Sequence, residues 1–92
     1  MEDGNLKLYV LKIILKKTIF DRVRKIVSDS FFSNGGRDIY KAISKIYEDN
    51  PGIEEISISD LRISYFETYF ANQSFQSEKN IKELISRIER IQ

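Results

Sequence analysis

A glycine pair, Gly35-Gly36, opens an apolar-periodic stretch in "FFSNGGRDIYKAISKIY", and glycines at a helix start are where backbone amides cradle phosphate. A P-loop also needs a lysine after its last glycine to neutralise the phosphate, then a serine or threonine to hold magnesium. Here Arg37, Asp38 and Ile39 follow, and no strand rich in β-branched residues precedes. The pair is therefore expected to be a flexible helix start rather than a nucleotide site. The neighbouring acids Glu48-Asp49 and Glu54-Glu55 point apart on regular structure. A paired-acid hydrolase or a hard-metal cage would need a third acid from elsewhere, so these read as solvated surface. The 92 residues include no histidine and no cysteine, which removes the commonest general base, the commonest transition-metal ligand, thiolate chemistry and disulfides. No serine or lysine has an identifiable activating base. The expectation is a non-enzyme with no cofactor, no metal and no small-molecule ligand.

What the chain has in excess is aromatic surface. Phe31 and Phe32 are paired in a Ser/Asn/Gly-rich loop, where at least one is expected to plug the core. In "SDLRISYFETYF", Leu61, Ile63, Tyr65, Phe66, Tyr69 and Phe70 span roughly 200° of a helical wheel, whereas one core contact covers little over 100°. About half of that band is expected to face a partner, since aromatics are enriched at protein interfaces. Tyr65, Tyr69 and Phe70 are the candidate interface residues, with Phe31 or Phe32 second.

The elements that must position these rings are helical. Residues 6–15 admit helix or strand, with helix the better reading. Asn5 would cap it, and Leu6, Tyr9, Val10, Ile13 and Ile14 would share one side while Leu8, Leu11 and Leu15 fall elsewhere. A helix apolar on so much of its circumference is buried on several sides or packs against a partner. In "KKTIFDRVRKIVSDS", Thr18 caps a second helix with Ile19, Val23, Ile26 and Val27 inward, Phe20 at the edge, and Arg22, Arg24 and Lys25 outward. The third is the cleanest: Ile39, Tyr40, Ile43, Ile46 and Tyr47 form a stripe about 120° wide, and Asn50-Pro51 ends it. "IEEISI" is expected to be extended, with Ser59 or Asp60 capping the next helix. Ser77 caps the last, whose stripe is Ile81, Leu84, Ile85, Ile88 and Ile91. That stripe runs to the last residue but one without a stop signal.

The bulk numbers agree with one small all-α domain over residues 1–92, a compact bundle of four or five short helices. The chain is 41% hydrophobic and 32% charged with a formal net charge of +1, too apolar for disorder and too neutral for a general pull toward nucleic acid. No run reaches the ~18 apolar residues of a membrane span, and the acidic start "MEDGN" does not read as a signal peptide. A cytoplasmic location and no membrane contact are the expectations.

The order of segments resembles the N-terminal domain of DnaB-like hexameric replicative DNA helicases, in the version of T-even and related phages. "IFDRVRKIVSDSFF" is similar to the family's second helix and the turn after it. "RDIYKAISKIYEDNPG" is similar to its central helix, and "SISDLRISYF" with "FQSEKNIKELISRIERI" to the closing helices of the globular part. The resemblance covers most of Thr18 to Ile91 and rests on apolar patterns rather than chemical signatures. It implies a non-catalytic collar module in DNA replication, working in the host cytoplasm if phage-encoded, that contacts other subunits of the ring, primase or a helicase loader. The family's ATP-driven motor and its long helical hairpin have no counterpart here, so the 92 residues are expected to be the N-terminal fragment of a longer helicase. On this reading the domain itself is not expected to contact DNA. The alternative is a small helix-turn-helix-like DNA-binding regulatory domain built on the Phe20–Tyr47 helices, although its nine-residue connection from Ser28 to Gly36 is longer than the usual turn of about three or four.

Overall fold

Five helices follow one another in the computed structural model, which describes residues 3–32, 34–68 and 75–91. They are α1 (Asp3–Ile13), α2 (Lys17–Ile26), α3 (Asn34–Asp49), α4 (Ile58–Thr68) and α5 (Phe75–Arg90), with a single 3₁₀ turn at Asp29–Phe31 before α3. Among the described residues there is no strand, only an isolated antiparallel bridge between Lys16 and Glu55. Residues 6–13 are thus helical, and the all-α expectation holds.

Helix α3 is the centre. It packs against α1, α4, α5 and the 3₁₀ turn, while α1 and α4 each also touch α5. Its stripe does what the spacing requires: Ile39, Tyr40, Ile43, Ile46 and Tyr47 are all buried, joined by Ala42. The α5 stripe behaves alike, with Ile81, Ile85 and Ile88 buried and Leu84 and Ile91 packed against them. Asn50 closes α3 by turning both its backbone N–H and its side-chain amide onto the Ile46 carbonyl, at 3.0 and 2.9 Å. The chain turns at Pro51-Gly52 and crosses to meet the α1–α2 junction.

Five local expectations are corrected. Asn5 and Ser77 lie inside α1 and α5 rather than at their caps. Helix α2 begins at Lys17, not after a Thr18 cap, and Lys16 at its N-cap position makes no side-chain cap bond. The amide of Lys17 instead donates to the Glu54 carbonyl at 2.8 Å, and Ile56 N–H returns to the Leu15 carbonyl at 2.8 Å. A neighbouring segment therefore satisfies a helix-start donor that a side chain usually satisfies. At α4 the cap is Ser57, whose hydroxyl accepts the Asp60 amide at 3.0 Å, so neither Ser59 nor Asp60 serves. On α2 the core residue is Phe20, while Ile26 is 84% exposed, so the inward face is rotated toward Phe20.

The aromatic residues are absorbed by stacking on one another. Phe31 meets Phe32 edge-on at 5.0 Å, Phe32 lies 4.9 Å from Tyr40, Tyr40 6.2 Å from Phe20, and Phe20 4.7 Å from Tyr47. Each such pair contributes roughly 0.5–1.5 kcal/mol beyond its area. The chain of rings stitches α2 and the 3₁₀ turn onto α3.

Candidate docking surface

The five candidate interface residues fall into three groups. Tyr65 and Phe32 are 0% and 1% exposed. Both are core residues, which corrects their assignment to a docking surface: Tyr65 follows Leu61 by one turn of α4, and the two share the face turned to α3 and α5. Phe31 is half-buried, with the Lys7 ammonium 5.6 Å from its ring centre, so it offers an edge rather than a face. Tyr69 and Phe70 lie outside the described residues. The expected aromatic band on α4 thus divides, with Leu61 and Tyr65 inward and Ile63 56% exposed on the opposite side.

The apolar surface that does reach solvent is on α1. Leu8, Leu11, Ile14 and Leu15 are buried, while Leu6 and Tyr9 are each 47% exposed. At 100° per residue, Leu6, Tyr9 and the partly buried Ile13 lie within about 60° of one another, opposite the buried set. Helical spacing alone groups Leu6, Tyr9 and Ile13 on one side without saying which side is inward; the structure puts the other face inward. The signal that could have found them was in the sequence, since α1 is apolar all round.

Gly35 and Gly36 have different duties. A Cβ on Gly35 would stand 2.6 Å from Leu84 Cδ1 and 2.9 Å from Ile81 Cδ1, whereas one on Gly36 would meet Phe32 Cβ at an ordinary 3.6 Å. The missing side chain at Gly35 is what lets the first turn of α3 lie against α5.

A groove of about 410 Å³ runs between α2 and α3, lined by Lys17, Phe20, Arg24, Tyr40, Ser44, Tyr47 and Glu48. Its aromatic floor is almost closed, because Phe20, Tyr40 and Tyr47 are each under 10% exposed. Beneath it the Tyr47 hydroxyl donates to the Ile14 carbonyl at 2.9 Å. Burial, then the carboxylates of Glu55 and Asp21, raise the Tyr47 phenol well above its usual range. The Lys17 ammonium is held by Asp21 at 3.2 Å. Arg62 on α4 reaches Glu89 on α5 at 3.1 Å.

Among the described residues no group of three or more acids gathers where a metal could sit, and no helix is long and apolar enough to cross a membrane. No protein-family model, curated protein or solved structure matches this chain.

Proposed function

We propose that this chain is a non-catalytic docking domain of the collar type, the N-terminal part of a DnaB-like replicative helicase, that joins neighbouring proteins of a cytoplasmic replication assembly through the outer face of α1. The observation that carries the reading is the two-sidedness of α1. One face is sealed into the core, and the other presents Leu6, Tyr9 and the edge of Ile13 to water. A half-exposed Tyr is the aromatic kind of residue that interfaces favour, and the half-exposed Leu beside it adds apolar area to the same face. All three side chains are uncharged, which suits a copy of the same face in a two-fold contact better than a charged partner. A neighbouring subunit is therefore the favoured occupant, ahead of primase or a loader. The helix-turn-helix-like alternative is disfavoured because its connection from Ser28 to Gly36 is nine residues, longer than the usual turn of about three or four.

The test is light scattering across protein concentration, with Leu6→Ser/Tyr9→Ser as the variant. The wild-type chain should associate as concentration rises, and the variant should remain a monomer with an unchanged melting curve. A wild-type chain that stays monomeric at about 1 mM, a concentration at which an interaction worth only ~4 kcal/mol is half-populated, would sink the subunit reading.

A further inference from the structure

We infer that the solvent face of α2 is a contact site for the phosphate backbone of nucleic acid, independent of base sequence. The near-neutral total conceals a segregated charge. Residues 16–26 carry Lys16, Lys17, Arg22, Arg24 and Lys25 against Asp21 alone, a net +4 in a chain whose total is +1. By contrast, α3 holds three bases and three acids, and α5 four and three. Two cations elsewhere are held by acids, Lys45 by Asp49 at 3.4 Å and Arg62 by Glu89 at 3.1 Å. On α2 Asp21 is taken by Lys17. Lys16, Arg22, Arg24 and Lys25 are exposed, and among the described residues none of them has an ion-pair partner.

Ordinary helix electrostatics does not explain the cluster. A helix C-terminus favours cations in its last turn, which covers Arg24 and Lys25. Positive charge at the N-terminus opposes the dipole, and α2 has Lys16 and Lys17 there with no acid in its first turn. The face is kept cationic at a local cost to the helix.

Its shape favours a phosphodiester over an acidic peptide. The outer surface of α2 is convex, and the rings beneath it, Phe20, Tyr40 and Tyr47, are closed off. It therefore offers neither a pocket to register peptide side chains nor a platform on which bases could stack. At 100° per residue Arg22 and Lys25 lie within about 60° of one another and Arg24 about 100° from Lys25, so these three long side chains can reach neighbouring phosphates of a duplex. Glu48 stands across the groove from Arg24, and the backbone of Lys16 is bridged to that of Glu55, an exposed acid. Those acids leave the Arg22–Lys25 flank as the open line of approach.

The full 92-residue chain and a fluorescein-labelled duplex of mixed sequence, titrated by anisotropy at several salt concentrations, test this. With about three phosphates neutralised, log affinity should fall against log salt with a slope of about −2.7, roughly a 40-fold loss between about 50 and 200 mM. Arg22→Gln/Arg24→Gln/Lys25→Gln should abolish that slope, while Arg87→Gln/Arg90→Gln on α5 should leave it intact. If the triple variant does not fold, Arg22→Gln alone should reduce the slope by about one. The inference is overturned if the wild type shows no salt-dependent binding, if the α2 variants bind like the wild type, or if polyglutamate of equal charge binds more tightly than the duplex. None of these readouts depends on self-association through α1.

Discussion

Replacing Tyr47 by phenylalanine removes one oxygen atom and should reverse the order of stability between variant and wild type as pH rises. At neutral pH the change deletes the 2.9 Å hydrogen bond to the Ile14 carbonyl and leaves that carbonyl short of a buried partner. A net hydrogen bond of about 1 kcal/mol, plus part of the cost of an unpaired acceptor, gives a loss of about 1–2 kcal/mol. In a domain of this size that corresponds to a melting temperature lower by roughly 6–12 °C. The ring stays, so its stacking on Phe20 is kept. Above about pH 10 the gap narrows. The Tyr47 phenol is raised in the folded chain, first by burial and then by Glu55 and Asp21, from an ordinary value of 10.0. Its contribution is complete below about pH 10. As pH climbs past that value the unfolded chain loses the proton and the folded chain keeps it, so stability falls by about 1.4 kcal/mol per pH unit. The variant's ring has no such proton to lose. The gap should therefore close near about pH 11 and invert above it, the other tyrosines titrating alike in both proteins. Urea unfolding followed by circular dichroism, at neutral pH and in steps from about pH 9 to 11.5, measures this. A gap that stays constant through about pH 11 would refute the reasoning.

Tyr65→Ala should cost about 3–5 kcal/mol, as truncation of a fully buried ring does, and urea midpoints should show the loss in the monomer itself. A variant as stable as wild type but weaker in association would return Tyr65 to a docking role. Gly36→Ala has room for its methyl and should leave stability unchanged or raise it by up to ~1 kcal/mol through helix propensity. Gly35→Ala must push aside the tips of Ile81 and Leu84 and should melt below Gly36→Ala by about 1–2 kcal/mol. Equal melting curves would mean that α3 and α5 do not need the close approach.

The sequence was most legible where one face of a helix is apolar and the other is not. On α3 the wheel separates Ile39, Ile43 and Ile46 from Arg37, Lys41 and Lys45, so period and burial coincide. On α1 the period carries no direction. Leu6, Leu8, Tyr9, Leu11 and Ile14 cover the whole circumference, and only the positions of α3 and α5 decide that Leu11 goes in and Tyr9 out. The start of α2 was illegible for another reason, because its first amide is satisfied by Glu54, far along the chain on the other side of α3. A local cap signal cannot announce a distant acceptor. The aromatic residues misled in a third way. A band of roughly 200° on α4 suggests surplus, yet Tyr65, one of its rings, is fully buried beside Leu61, and a wheel alone does not say which part of a band faces inward. The exposed apolar pair Leu6 and Tyr9 is legible as one side of α1 but not as its solvent side.

The pair of backbone bonds joining the α1–α2 junction to the segment before α4 has a mechanical consequence. It works as a clasp, making the α2–α3 hairpin a closed excursion from a fixed base, with Lys17 at one root and Glu54 at the other. Closing a loop of that length costs about 3 kcal/mol in chain entropy, so the clasp depends on Leu15 and Ile56 beside it being sealed from water. Once shut, it holds the roots of α1 and α4 in register whatever happens at the hairpin's far tip. Lengthening the bend at Ser28 and Ser30, both exposed, would lengthen the excursion without moving its base, whereas one residue added between Pro51 and Glu54 would throw the clasp itself out of step.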